Sequence, residues 1–281
     1  MATVEQTVEA FLSNEDSPTI SNPIHSTEIA QSFGFKGALV GGVTVWGWAT
    51  DAILEALGES WLDRGWSDFM FRQPTYPGDR LAIRVEPSSD AAPDAYSVTM
   101  TNQDGVLCVV ASVGLGDAPW IDQFVTPGDM TAKPSPDPIP PIVMGQTPVD
   151  VDWRAASAMT DTATMEEFLE RSLPVANPLF VPTDSKPAPL HPGWIAGRGE
   201  RLLRHNVTLP QSIHTRSQIQ HLTRAMSGQE TVTGAHLLDI YDRKGHHFAN
   251  FDCLMVGEDG TPLTQLRHWT IVKVAKADER G

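Results

Sequence analysis

The sequence predicts an α+β fold made of two similar units, each a long antiparallel sheet wrapped around a central helix. Two largely apolar segments, residues 43–57 and 194–203, each follow a glycine-marked start and are predicted to be these helices. Runs of alternating apolar and polar residues follow both segments, as is typical of antiparallel strands with one buried face. Short motifs of the first half also return in the second half at a nearly constant spacing, which indicates an internal repeat.

Four strands are predicted after each central helix. They cover residues 67–76, 80–86, 95–102 and 106–114 in the first half, and residues 212–225, 230–241, 247–257 and 262–274 in the second. A helix wrapped by such a sheet is the hot-dog arrangement, so the chain is predicted to be a double hot-dog. Because neither half can cover its own sheet edge, we expect the two units to share one continuous sheet.

Three motif pairs carry the repeat. Asn22-Pro-Ile-His25 returns as Asn177-Pro-Leu-Phe180, and the turn Asp104-Gly105 returns as Asp259-Gly260, both at an offset of 155 residues. Asp-Gly between two apolar runs favours a tight hairpin. The third pair joins residues 7–12 (TVEAFL) to residues 164–169 (TMEEFL) at an offset of 157, and a short amphipathic helix is predicted for both.

A proline-rich segment divides the chain. Residues 127–148 read PGDMTAKPSPDPIPPIVMGQTP, and proline fixes φ and lacks the N–H that helices and sheets require. We therefore predict a first repeat over residues 1–126, a linker over 127–148 that crosses the outside of the sheet, and a second repeat over 149–281.

Composition and charge exclude several classes of function. The net charge of −15 argues against nucleic acid and anionic membranes as partners. Residues 1–140 hold 6 Lys and Arg against 19 Asp and Glu, whereas residues 141–281 hold 14 against 16, so an anionic ligand would be steered to the second half. Cys108 and Cys253 are too few for a disulfide framework or a cysteine zinc site. With no basic leader and no apolar run of roughly 20 residues, we expect a cytoplasmic protein. We predict neither a metal site nor a cofactor.

The stretch from Asn22-Pro-Ile-His25 through Gly42, continuing over Phe71-Arg-Gln-Pro-Thr-Tyr-Pro-Gly-Asp79, resembles the MaoC-like hydratases, also called R-specific enoyl-CoA hydratases. Their signature is Asp, any residue, Asn, Pro, any residue, His, followed by a His-Gly pair that opens the central helix. The resemblance implies that His25 is the acid/base, that Asn22 is the signature asparagine, and that the Gly42 N–H stabilises the thioester oxygen. It also implies that His25 lies in a cleft between both halves, near the start of a central helix.

Two positions depart from that signature. Ile20 stands at the aspartate position, and Gly41 replaces the histidine of the His-Gly pair. Ile20 cannot transfer a proton, so a second group is required if the usual two-residue chemistry is kept. Candidates from the first half are Asp16 and Glu28; candidates from the second half are His191, His214, His221 and His246. Predicted substrate-binding residues are Gly41, Trp46, His191, His221 and His246.

The implied function is a lyase acting on a small-molecule acyl thioester, carried by CoA or by a carrier protein, through enoyl hydration or 3-hydroxyacyl dehydration. Three alternatives stay open. They are a thioesterase using Asp51 on the first central helix, a binding protein without catalysis, and a single-base isomerisation or intramolecular addition run by His25. The oligomeric state is also open, with a homodimer as one expectation.

Overall fold

Strands and central helices lie where the alternating and apolar segments predict them, and two more strands occupy the sheet edges. The computed structural model describes residues 3–14, 16–17, 22–88, 90–183 and 185–275. Its strands are β1 (Val4–Glu9), β2 (Gly65–Phe71), β3 (Arg80–Pro87), β4 (Tyr96–Thr101), β5 (Leu107–Leu115), β6 (Val151–Met159), β7 (Ile213–His221), β8 (Glu230–Arg243), β9 (His246–Val256) and β10 (Pro262–Lys273). Its α-helices are α1 (Thr27–Ser32), α2 (Gly42–Gly47), α3 (Thr50–Leu57), α4 (Trp61–Arg64), α5 (Thr162–Ser172) and α6 (Pro192–Asn206).

All ten strands form one antiparallel sheet in the order β1-β3-β4-β5-β2-β7-β10-β9-β8-β6. Each half of the chain supplies one contiguous side of it, with its central helix packed on the sheet. The fold is therefore α+β and a double hot-dog, and the prediction of one shared sheet is confirmed.

The seam between the halves is the pairing of β2 with β7, from Trp66 opposite Gln220 to Met70 opposite Arg216. Asp68 on β2 accepts two hydrogen bonds from the Arg216 guanidinium, at 2.9 and 2.6 Å, and one from Gln218 Nε2 at 2.9 Å. This charged cluster joins the two halves beside their shared backbone hydrogen bonds.

The two central helices approach each other closely where they begin. A Cβ atom added at Gly193 on α6 would lie 3.2 Å from the Cα atom of Gly47 on α2, so this contact depends on small residues. The helix predicted over residues 43–57 is divided into α2 and α3, because the Ala49 N–H bonds to the Trp46 carbonyl three residues back and tightens the turn.

The helix predicted over residues 7–12 is wrong. Val4–Glu9 is strand β1, which pairs with β3 at one edge of the sheet. Its side chains alternate, with Val4 buried and Val8 half-buried, and valine and threonine favour strands. The match at offset 157 thus joined a strand to helix α5, and β1 corresponds to the opposite edge strand, β6.

Both motif pairs at offset 155 join equivalent elements. Asn22 and Asn177 each precede a single 3₁₀ turn, Pro23–His25 and Pro178–Phe180. Gly105 and Gly260 close the β4–β5 and β9–β10 hairpins, with φ of +76° and +81°, in the left-handed region that favours glycine.

Residues 127–148 contain no helix or extended strand. The segment runs along the surface of the second half and forms hydrogen bonds with it. The Lys133 N–H donates to the Ala155 carbonyl on β6 at 2.9 Å, and the Thr208 N–H, just after α6, donates to the Pro140 carbonyl at 2.8 Å. Within the described part of the chain, no helix is long and apolar enough to cross a membrane.

Candidate functional site at the seam

His25 ends the 3₁₀ turn of the first-half loop, and its ring is held in one orientation. His25 Nδ1 lies 2.6 Å from the Leu39 carbonyl oxygen. Because that oxygen can only accept, Nδ1 carries the hydrogen and Nε2 is the basic nitrogen of the neutral ring. Burial lowers the pKa of His25, although the Leu39 hydrogen bond opposes this effect. A neutral ring whose Nε2 bonds to none of the described residues is suited to accept a proton.

The two glycines that open α2 lie directly beside this histidine and its surroundings. A Cβ atom added at Gly41 would lie 3.6 Å from His25 Cε1 and 3.9 Å from Nε2. One added at Gly42 would lie 2.9 Å from Phe71 Cε2 and 3.2 Å from His214 Cβ, which leaves no room for a larger residue. The first N–H groups of a helix have no partner within it, so the backbone here offers donors close to His25.

A pocket of about 340 Å³ opens at this point, between the two halves. The first half contributes the Asn22–His25 loop, the start of α2 and the segment after β2. The second half contributes α6, the starts of β7 and β9 and the end of β10. Its apolar wall includes Ile24, Phe35, Leu39, Val40, Val43, Val45, Phe71, Ile213 and Ile271. The polar groups His25 and Glu200 line the same pocket from opposite halves.

Glu200, on α6, is the carboxylate that the sequence analysis did not identify. Its Oε1 atom accepts hydrogen bonds from Ser212 Oγ at 2.5 Å and from Arg204 Nε at 2.7 Å. The negative charge of Glu200 raises the pKa of His25, and the positive charge of Arg204 lowers it, both less strongly than burial does. The only local signal is the Glu200–Arg204 spacing of four residues on a central helix, which is equally typical of a solvated helix face.

Asn22 anchors the loop to the second half. Its Nδ2 donates to the Ser212 carbonyl at 2.9 Å, and its Oδ1 accepts from the Ser212 N–H at 3.2 Å. The side-chain amide is thus engaged on both sides, and the same Ser212 contacts Glu200. Asn22 therefore positions the loop that carries His25.

The structure brings some of the other predicted site residues to the pocket. His246 lines it, and His246 Nδ1 accepts a hydrogen bond from the Ala275 N–H at 3.0 Å. His214 also lines it, with Nε2 2.7 Å from Ser217 Oγ. Burial lowers the pKa of His214 to about 3, so this ring is a neutral part of the wall.

Three predicted substrate-binding residues lie in the core and do not line the pocket. Trp46 is 1% exposed and stacks on Phe69 with 4.3 Å between ring centroids. His191 caps α6, accepting from the Gly193 N–H at 3.1 Å, and burial lowers its pKa to about 3. His221 packs edge-on against Trp61 at 5.3 Å, and burial lowers its pKa to about 4.

The first-half candidates for a second acid do not line the pocket either. Asp16 Oδ1 accepts from the Thr27 N–H at 2.7 Å, at the start of α1, and Glu28 is exposed on that helix. Ile20, at the signature aspartate position, lies outside the described residues.

The equivalent loop of the second half carries no such site. Phe180 stands where His25 stands in the first half; it is 2% exposed and packs against His191. Asn177 Nδ2 donates to Asp51 Oδ1 at 2.9 Å. Asp51, the carboxylate expected for a thioesterase, therefore lies at this second loop and does not line the His25 pocket.

No protein-family model matches this chain, and no curated protein matches it. Its structure is similar to that of a MaoC-like dehydratase, with a TM-score of 0.59 at 13% identity, covering 95% of this chain and 97% of that one. It is also similar to a conserved Mycobacterium tuberculosis protein with a double hot-dog fold, with a TM-score of 0.61 at 12% identity over 95% and 96% of the two chains. An acyl-CoA thioesterase II from Mycobacterium marinum matches with a TM-score of 0.51 at 11% identity, over 83% and 89%. At these identities the similarity shows the fold.

Proposed function

We propose that this chain is a lyase that adds water to, or removes it from, an acyl thioester bound in the seam pocket. The observation that carries the proposal is the position of His25 and Glu200. They lie in one pocket, on opposite halves, where α2 opens with two glycines. Two groups able to transfer protons, beside backbone donors, are what reversible hydration of an enoyl thioester requires.

In the dehydration direction, each group has one task. His25 Nε2 accepts the α-proton of a 3-hydroxyacyl thioester, and the negative charge develops on the thioester oxygen. The N–H of Gly42 stabilises that oxygen, as does the positive end of the helix dipole. The bond from the β-carbon to the hydroxyl then breaks, and Glu200, protonated in the substrate complex, donates the proton that lets the oxygen leave as water. The proton that His25 has taken up returns to Glu200 before the next turnover, so the cycle releases no net proton. Hydration runs through the same steps in reverse.

Glu200 takes the part of the acid that Ile20 cannot supply. In this arrangement the carboxylate comes from the central helix of the other half, and Ser212 holds it beside the loop that Asn22 anchors. With this second group available, chemistry by His25 alone is the less favoured alternative.

The test is a panel of enoyl-CoA, 3-hydroxyacyl-CoA and saturated acyl-CoA esters, followed by mass spectrometry. We expect interconversion of enoyl and 3-hydroxyacyl esters by the wild type. His25→Gln and Glu200→Gln should each lower kcat by roughly 10²–10⁴-fold. Glu258→Gln, a change of the same kind in an exposed turn, serves as the control and should keep full activity.

A thioesterase is the second candidate, because an acyl-CoA thioesterase has a similar fold. In that reaction Glu200 would orient a water molecule at the thioester carbon. The same panel separates the two functions. Release of free CoA from saturated esters, lost in Glu200→Gln, would replace the lyase assignment by the thioesterase. Binding of these esters without any turnover would favour the non-catalytic protein.

A further inference from the structure

A second cavity lies on the other side of α6, and three arginines line it against one carboxylate, Glu167. It measures about 450 Å³, opens to solvent and is lined by α5, α6, the edge strand β6 and its neighbour β8. Trp194, Arg198, Arg201 and His205 of α6 line it. Their spacing of four, three and four residues places them on one helix face. Glu200 is roughly 200° around the helix from Arg198, so this cavity, here called the α6 pocket, is separate from the site at the seam.

Arg198 is held in the α6 pocket without a negative partner. Its guanidinium carbon lies 3.8 Å from the centroid of the Trp194 ring, and its Nε donates to the Trp194 carbonyl at 3.3 Å. Its terminal nitrogens make no hydrogen bond to the described residues. The ring fixes the plane of the guanidinium, and the fork of N–H donors at its end is unused.

Arg201, an exposed residue at the mouth of the same cavity, adds a second positive charge without an ion-pair partner among the described residues. Within the described ranges, no carboxylate lies at ion-pair distance from either Arg198 or Arg201. Burial, and then the charge of Arg201, lower the pKa of Arg198 to about 9. The charged form of Arg198 is thus held at a cost in the free protein, and a bound anion would offset that cost.

The other basic groups of the pocket are already engaged. Arg171 pairs with Glu167 at 2.9 Å on the exposed face of α5. His205 Nε2 donates to the Lys133 carbonyl at 2.9 Å, and Nδ1 accepts from Ser135 Oγ at 3.0 Å. The unpaired charge is therefore that of two guanidinium groups, which matches the charge of one phosphate monoester near neutral pH.

The pocket also has an apolar part. Phe168 and Leu202 line it together with Trp194, and its size is typical of a site for a small organic molecule. We propose that the α6 pocket binds a phosphate monoester with an apolar or aromatic body, through the guanidinium groups of Arg198 and Arg201. This site is independent of the proposed reaction, because it is on the opposite face of the helix and needs no turnover.

Isothermal titration with phenyl phosphate, in a buffer free of phosphate and sulfate, tests the site. We expect saturable binding to the wild type that weakens as salt is added. Arg201→Gln should weaken it about tenfold or more, because a charge-assisted hydrogen bond is lost. Arg80→Gln, which removes an exposed arginine on β3, should bind like the wild type. Circular dichroism checks that each variant folds.

Two further arms identify the ligand. Benzoate, a carboxylate of similar shape, should bind more weakly than phenyl phosphate; equal or tighter binding of benzoate would overturn the assignment to phosphate. Competition by CoA but not by dephospho-CoA would trace the phosphate to the thioester carrier, and competition by neither would indicate a separate phosphate compound. The proposal fails if phenyl phosphate does not saturate the wild type, or if Arg201→Gln binds it unchanged. Neither result depends on activity at the seam.

Discussion

At the scale of single residues, the seam site is held together by one chain of hydrogen bonds. Asn22 bonds to the backbone of Ser212, the Ser212 hydroxyl bonds to Glu200, and Glu200 bonds to Arg204. Ser212 therefore sets the position of the histidine loop and of the carboxylate at once. The charges on this chain act on His25 in opposite directions.

That opposition predicts how the pKa of His25 responds to substitution. In the wild type, NMR titration of the His25 ring should give a pKa below 6.5, because burial disfavours the charged form. Glu200→Gln removes the charge that raises this pKa and should lower it further. Arg204→Gln removes the charge that lowers it and should raise it. A His25 pKa that moves the same way in both variants would contradict the arrangement.

His25, Gly41 and Gly42 could be identified from the sequence, because they lie in the short stretch that resembles the MaoC-like hydratases. Glu200 could not be predicted in the same way. It lies far from His25 in sequence and shares a pocket with it because β2 pairs with β7, which brings α6 across the seam. No local pattern distinguishes this carboxylate from others on helix surfaces.

At the scale of elements, alternation found the strands that have one buried face, whereas the edge strands escaped notice. In β1 only Val4 and Val8 are apolar at the alternating positions, and this pattern is too short to outweigh the resemblance to residues 164–169.

The proline-rich segment over residues 127–148 forms its backbone hydrogen bonds with the second half. We propose boundaries at residues 126 and 149, with this segment fastened to the second repeat.

Just before this segment, the chain is bound to the second half by a buried ion pair. Loss of that pair should lower the free energy of unfolding. Asp252 on β9 is fully buried, bonds twice to Arg267 and accepts from the Val125 N–H at 2.7 Å. Asp252→Asn leaves Arg267 without its counter-charge and should lower the free energy of unfolding by about 3–5 kcal/mol. Urea denaturation measures this change.

The matched control is Asp117→Asn, which breaks an exposed ion pair with Arg64. It should cost less than about 1 kcal/mol. If both variants lose a similarly small part of the free energy of unfolding, the buried pair does not stabilise the fold as proposed.

At the scale of the whole molecule, one chain supplies both sides of the seam pocket. A second copy is not needed to complete the site, and a homodimer stays a prediction. The two equivalent Asn-Pro loops have also diverged, since His25 faces the pocket in one and Phe180 is buried in the other. Several histidines lie within the core, and we expect their titration to lower stability in acid.

We predict that the protein loses stability as the pH falls below about 6.5. Burial lowers the pKa of His191 and His214 to about 3 and that of His221 to about 4. Above pH 6.5 these rings are neutral in both the folded and the unfolded protein, so they do not change the free energy of unfolding. Below it the unfolded chain binds protons that the folded protein cannot. Each ring should therefore lower the free energy of unfolding by up to about 1.4 kcal/mol per pH unit, down to roughly pH 4.

One partly buried group, His236, acts in the opposite direction. Burial opposes the charged form of His236, but hydrogen bonds to Asp152 and Asp150 raise its pKa overall, so its contribution grows as the pH falls. A single such group cannot offset three buried rings. Urea unfolding at pH 7, 6 and 5 should show a net decline in the free energy of unfolding. His221→Gln should make this pH dependence less steep by about the contribution of one histidine. Stability that is flat or rising over this interval would mean that the buried rings accept protons without unfolding.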